Sequence, residues 1–246
     1  MGQSRDPIHI TGDGVEGRAL EPLPIEPADF ETPPTAQSWA IAHADEALGL
    51  TVGVWTTSDM KEAFGPYPGD EFMAVLEGET RLIEADGGET LVRAGEAFCV
   101  HNRHPVSWKQ VGSMRKIFMI HDPPGAVAPD AAPAGPGVVV WSADETGAAD
   151  GSVEADGPLQ RSVRFTTGDG LMTAGSVEIA PHDDRQRPAG PHELLFISAG
   201  AVRIADEGGR DLTLGAGEAV FLPADCSVRT ASTAGAQGCF ARRAAG

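Results

Sequence analysis

Glu71 is the residue of this chain best placed by its neighbours to do chemistry. It opens the run EFMAVLEG. Facing an interior lined by Phe, Met and Val, a carboxylate would lose hydration, which disfavours its charged form and makes it a candidate general acid or base. Paired with a cation or with backbone amides, it would instead be structural. The stretch HNRHP carries His101 and His104, which serve either as a polar loop bonded to backbone and water or as a pair of imidazoles available for chemistry. Tyr67, the only tyrosine, precedes Glu71 by four positions. Together with Trp55 and Trp108 it offers flat aromatic area to a small organic ligand, or simply fills a core. No GxSxG elbow, GxxxxGK[ST] loop or strand-linked GxGxxG is present, so serine hydrolysis and nucleotide binding by those devices have no support.

The elements that must position these residues are legible in an internal repeat. A shift of 122 positions lays Glu71 on Glu193, Gly78 on Gly200, Arg81 on Arg203, Gly87 on Gly209, and Ala94-Gly95-Glu96-Ala97 on Ala216-Gly217-Glu218-Ala219. This is a duplicated domain. In both copies apolar stretches of a few residues alternate with Gly-rich turns, the pattern of antiparallel sandwiches and small barrels. The DGG and EGG triplets supply the positive φ angles of tight hairpins. Strands near 50–57 and 161–167 are expected to open the barrels, and MRKIFMIH and AQGCFARR to close them. The run DPPGAVAPDAAPAGPG marks a junction. The expected division is therefore an N-terminal arm at 1–38, a first domain at 39–124, a linker at 125–137 and a second domain at 138–246. The arm is either a solvated tail or a segment pinned through Ile25, Phe30 and Trp39. Arg81 and Arg203, matched in a hairpin strand, suggest a shared structural pairing with an acidic partner.

Composition narrows the function classes. Lys and Arg number 18 against 36 Asp and Glu, and a net charge of −18 disfavours capture of phosphate backbones, so nucleic acid is not an expected partner. No apolar run approaches the ~18 residues of a membrane span. The opening MGQSRDPIHITGDG has no apolar h-region, and the cytoplasm is the expected compartment. Cys99, Cys226 and Cys239 are widely spaced, without CxxC or Cys/His pairing, and are expected to be reduced and structural.

The repeat resembles the cupin superfamily, whose first motif ends in Glu, six residues, Gly and whose second begins with Gly, five residues, Pro. Glu71 with Gly78 and Glu193 with Gly200 match the first, and Gly217 with Pro223 matches the second. The match spans two tandem units, a bicupin. The first copy is similar to RmlC-like cupins grouped with ureidoglycine aminohydrolase, through Gly53, Trp55, Tyr67, Asp70, Glu71, Glu77, Gly78 and Trp108. The resemblance implies an all-β fold of two jelly-roll (double-stranded β-helix) barrels, with a small-ligand pocket at one mouth.

A typical cupin holds one divalent metal (Mn, Fe, Ni or Zn) by two His, the motif Glu and a third His. Here the first two His positions are occupied by Phe64 and Pro66, or by Gly65 and Tyr67, and the third by Val106. In the second copy they are Gln186 and Pro188, or Arg187 and Ala189, and Val228. A substituted site of Glu71, His101 and His104 is the metal alternative. In the second copy His182, His192 and Glu193 are the comparable cluster, but neighbouring strand residues point to opposite faces, which separates His192 from Glu193.

The resemblance points to a small-molecule enzyme acting on a polar carboxylate or amide metabolite, with Glu71, His101, His104 and Tyr67 as catalytic candidates and Trp55 and Trp108 lining the pocket. It could be a metal-dependent, aminohydrolase-like enzyme. It could equally be a metal-independent isomerase, for which Tyr67 with His101 or His104 would be the proton-transfer pair. The alternative is a metal-free binding or scaffold cupin without activity. Open edge strands are usually covered, so packing of the two copies and a homodimer are expected.

Overall fold

The computed structural model describes residues 6–125, 136–145 and 153–245. Most of the expected linker, 126–135, lies outside them. Every strand pairing is antiparallel, and among the described residues the one helical segment is a single 3-10 turn, Pro27–Asp29. None is therefore a helix long and apolar enough to cross a membrane.

The chain forms two compact units, one over Gly12–Ser142 and the other over Ala143–Gly246 together with the first eleven residues. In the first unit a sheet runs in the order Val138–Ser142, Glu96–Val100, Asp70–Glu77, Met114–His121, Leu50–Thr57, Gln37–Asp45, Glu21–Pro22. The facing sheet runs Glu89–Arg93, Glu79–Glu84, Pro105–Gln110, Met60–Glu62, Phe30–Thr32. Alternation sends every second side chain inward. Met73 and Val75, Phe98 and Val100, Val106 and Trp108, and Met114 and Phe118 thus meet in one buried cluster. Phe98 is fully buried, and truncating such a residue to alanine costs roughly 3–5 kcal/mol.

The second unit repeats the plan. Its larger sheet holds Leu159–Thr166, Met172–Ile179, Ala236–Arg243, His192–Gly200 and Glu218–Leu222, and the facing sheet holds His182–Arg187, Val228–Ser232, Val202–Asp206 and Asp211–Leu214. Leu195, Ile197, Val220, Leu222 and Phe240 fill its interior. Leu159–Thr166 corresponds, at the shift of 122, to Gln37–Asp45. The first copy therefore opens one strand earlier than the expected 50–57.

The motif glycines explain part of the repeat. Gly78 has φ of 79°, and a Cβ there would stand 2.2 Å from the Ser113 carbonyl oxygen; Gly200 has φ of 78°, with the Gly235 carbonyl oxygen at 2.3 Å. Only glycine meets both the positive φ and the close approach without strain.

The division at the linker differs from the expected one, for a reason of edge pairing. Val138–Ser142, placed by sequence in the second domain, pairs with Glu96–Val100 of the first unit. Ile8–Thr11, placed in the arm, pairs with Glu218–Leu222 of the second, which is the equivalent strand. In each barrel the same edge is covered by a strand from a distant stretch of chain, which removes an unpaired row of N–H and C=O groups. Further along the arm Phe30–Thr32 pairs with Met60–Glu62 and Phe30 packs on the first core, while Trp39 stays exposed. Arg81 bridges Glu89 and Arg203 bridges Asp211 at matched positions, so the repeated arginines do share a hairpin pairing.

Candidate functional site

Glu71 sits in the first barrel where Asp70–Glu77 is flanked by two strands, in register with Val100 on one side and Ile120 on the other. Its side chain is buried at 7% exposure and shares the inward parity of Met73 and Val75. A buried carboxylate requires partners. Lys116 supplies one: its Nζ lies 2.8 Å from Glu71 Oε1 and 3.0 Å from Met73 Sδ. Tyr67 supplies the other, its hydroxyl donating to Glu71 Oε2. The Lys116 ammonium is walled by aromatic faces, 5.0 Å from the Trp55 ring centre, 4.7 Å from Trp108 and 5.9 Å from Phe118. Ring faces attract a cation electrostatically, by about 2 kcal/mol once desolvated. Trp55 and Trp108 meet edge to face at 6.1 Å. Trp108 is pinned through Nε1 to Gln110 Oε1 at 3.1 Å, and Gln110 Nε2 donates to the Ser58 carbonyl at 2.9 Å.

Glu62 completes the cluster. Burial pushes its carboxyl up to about 7; Glu71 and Asp29 add to the rise, while Lys116 opposes it. It thus changes charge near neutrality, unlike an ordinary glutamate. Burial and the adjoining Glu71 carboxylate also hold the Tyr67 phenol well above the usual tyrosine range, so it stays a neutral donor. The loop carrying Tyr67 is fixed by backbone bonds, Tyr67 N–H to the His104 carbonyl at 3.0 Å and Arg103 N–H to the Tyr67 carbonyl at 2.7 Å.

The structure separates the two histidines from Glu71. His101 follows inward-facing Val100 and Asp70 precedes inward-facing Glu71, so alternation sends both away from the interior, where His101 Nδ1 lies 3.1 Å from Asp70 Oδ1. His104 does share the inward parity of Val106 and Trp108, but its Nε2 is held 2.8 Å from Glu84 Oε2. Among the described residues no group of three or more His, Cys, Asp and Glu side chains is placed to hold a metal ion. The donor set expected from sequence, Glu71, His101 and His104, therefore does not fit a metal here: an ammonium and a phenol occupy Glu71, and separate carboxylates occupy the imidazoles. Tyr67 bonds Glu71 rather than an imidazole, and the Trp55 and Trp108 rings face the Lys116 ammonium on the other carboxylate oxygen. Sequence reasoning missed Lys116 and Glu62. The signal for Lys116 was available in MRKIFMIH, where a lysine shares the inward parity of Met114 and Phe118. Glu62 gave none, because only burial distinguishes it from a surface glutamate.

In the second barrel Glu193 is likewise buried, at 1% exposure, and met by cations. Arg161 donates to Oε1 through Nε at 3.0 Å and Nη2 at 2.8 Å, and Arg187 donates to Oε2. Burial alone would raise the Glu193 carboxyl, but Arg161, Arg187 and Arg242 outweigh it and bring it down to about 2. His192 faces the other way, stacked on Phe221 at 5.9 Å, as alternation required. His182 bonds Thr230 Oγ1 at 3.0 Å.

No protein-family model matches the chain, and no curated protein is similar to it in sequence. Solved structures are similar. A DUF861-family protein of unknown function from Pseudomonas syringae pv. tomato superposes with a TM-score of 0.72 at 19% identity, over 97% of this chain and 100% of that one. A cupin 2 conserved barrel domain protein from Leptotrichia buccalis gives 0.62 at 9% identity, over 85% and 90%. Oxalate decarboxylase of Bacillus subtilis, an enzyme with Mn(II) centres, gives 0.56 at 10% identity, over 99% and 78%. These likenesses show the fold: two barrels of the cupin type in one polypeptide.

Proposed function

We propose that this bicupin is a small-molecule enzyme whose first barrel carries a metal-independent acid–base site, acting on a polar carboxylate or amide metabolite. The observation that carries the reading is the arrangement around Glu71, with Lys116 and Tyr67 on its two oxygens and aromatic rings above the ammonium. Lys116 and Tyr67 are donors suited to polarising a substrate carbonyl, and Glu71 holds both in place. Glu62, with its carboxyl near 7, is the group able to take up and return a proton. Trp55 and Glu62 are both partly exposed and form the side from which a ligand would approach. The reaction class this supports is acid–base chemistry at a carbonyl: in isomerisation, removal of a proton from the adjacent carbon and its return; in amide hydrolysis, removal of a proton from the water that adds to the carbonyl carbon and its delivery to the amine that leaves as the C–N bond breaks. The alternative of a binding protein without activity shares the same pocket residues and differs in turnover.

The test is a panel of short polar carboxylates and amides incubated with the protein in D2O. Proton NMR follows solvent exchange at carbon, isomerisation and amine release, in wild type, Glu62→Gln and Lys116→Met. Turnover lost in both variants supports the reading. Turnover unchanged in both refutes the site. Compounds that raise the melting temperature with no change in their spectra establish the binding protein instead. A homodimer is proposed as the larger form and is read directly by light scattering.

A further inference from the structure

Three guanidinium groups converge on one carboxylate in the second barrel. Arg161 holds Glu193 Oε1 with two N–H groups, and Arg187 Nη2 donates to Oε2. Arg242 Nε stands 3.6 Å from the same oxygen, beyond a hydrogen bond, while its Nη1 lies 2.9 Å from Glu154 Oε2. Among the described residues, Glu193 and the half-exposed Glu154 are the carboxylates that meet these groups, two negative charges against three positive ones.

The fold does not require that surplus. In the first barrel the equivalent Glu71 is met by one ammonium, and the positions equivalent to Arg161, Arg187 and Arg242 are Trp39, Gly65 and Ile120. Lys116 in turn corresponds to Gly238. A chain with 18 basic and 36 acidic residues thus places three arginines around a single buried carboxylate. Each guanidinium has five N–H donors, and among the described residues most of those on Arg187 and Arg242 have no acceptor. These two are also the members that reach solvent, at 10% and 20% side-chain exposure, whereas Arg161 and Glu193 at 1% form a fixed floor. Of the rings around Lys116, Phe118 is kept as Phe240, whose ring centre lies 5.8 Å from the Arg161 guanidinium carbon. Trp55, Trp108 and Tyr67, by contrast, are replaced here by the smaller Val177, Thr230 and Ala189. Burial is the largest influence on the Arg242 pKa and lowers it; the repulsion of Arg161 and Arg187 acts in the same direction, against the opposing pull of Glu193 and Glu154.

We propose that the second barrel is a binding site for a small carboxylate anion, which is held by the free N–H groups of Arg187 and Arg242 above the Arg161–Glu193 pair. Planar guanidinium forks match a carboxylate in two-point fashion and desolvated pairs of this kind are strong. Whether the first barrel is catalytic has no bearing on this site.

The experiment is isothermal titration calorimetry of the full chain with sodium malonate, acetate and inorganic phosphate, at ionic strength held constant with chloride. Malonate is expected to bind in the millimolar range or tighter and to raise the melting temperature. Arg242→Gln and Arg187→Lys are expected to weaken it by at least about tenfold. Arg187→Lys keeps the charge and so guards against loss of the fold, which circular dichroism checks. Arg203→Gln, at an exposed pair, is expected to bind as wild type does. Absence of binding up to about 50 mM, where affinity would be negligible, overturns the proposal, as does equal malonate affinity in wild type and both variants. Phosphate binding as tight as that of malonate overturns the carboxylate assignment.

Discussion

Glu193→Gln removes one negative charge from beneath three arginines, and its consequence can be worked out with sign and size. The carboxyl lies at about 2 in the folded chain against 4.5 for the free side chain, because Arg161, Arg187 and Arg242 overcome the opposing effect of burial. A difference of about 2.5 units corresponds to about 3 kcal/mol of folding stability. The folded-state value is depressed, so the unfolded chain takes up this proton first as pH falls. The stabilisation is fully present above about pH 4.5 and is lost as pH drops towards about 2. The variant cannot titrate there. At pH 7 it is expected to be less stable by roughly 3–5 kcal/mol, because the arginines are left facing a neutral amide. Its further loss between pH 5 and pH 2 should be smaller than that of wild type by about 3 kcal/mol. All four tryptophans, at 39, 55, 108 and 141, fall in the first unit, so their fluorescence does not report on the second. Hydrogen exchange of the strand His192–Gly200, read by mass spectrometry across a pH series, does. Identical pH dependence in the two proteins, or a change at pH 7 below about 1 kcal/mol, would refute the reasoning.

Lys116→Met leaves the buried Glu71 carboxylate without its cation and should cost roughly 3–5 kcal/mol in the first unit. Adding Glu71→Gln should restore most of that, and tryptophan fluorescence in urea measures both; an unaltered unfolding midpoint in the single variant would contradict the ion pair. Glu62 has a raised carboxyl, so its contribution to stability is fully present below about pH 4.5 and is lost as pH rises through about 7. Glu62→Gln should therefore flatten the stability profile between pH 5 and pH 8, and should remove any limb near pH 7 from the activity of the first barrel. Incubation with Mn(II), Fe(II), Ni(II) or Zn(II), then desalting and elemental mass spectrometry, is expected to leave well below one metal per chain, because Glu71, His101 and His104 are each held by other partners. Near-stoichiometric metal lost on His101→Ala would show that these contacts open to form a site.

The architecture was legible because it rests on local, repeated signals. Gly78 and Gly200 are fixed by the same positive φ and the same carbonyl approach, so both copies retain them. Strand alternation is equally local, which is why the separation of His192 from Glu193 followed from adjacency alone. Alternation would also have turned His101 away from Glu71, had Val100 been known to face inward beside it. That requires the cross-strand register, a relation between residues far apart in the chain.

The sequence by itself therefore determined two β-barrels, their motif glutamates and the aromatic residues near the first of them, because each depends on residue type and short spacing. Tertiary structure alone decided which charges meet those glutamates. Lys116 comes from a strand 45 positions beyond Glu71, while Arg161 and Arg187 precede Glu193 and Arg242 follows it. Only strand pairing brings them within reach of a carboxylate, and only desolvation there turns a common glutamate such as Glu62 into a group that titrates near neutrality. The same holds for the exchanged edge strands. Ile8–Thr11 and Val138–Ser142 look like arm and second domain along the chain, and the unpaired edges they cover exist only once the barrels have formed.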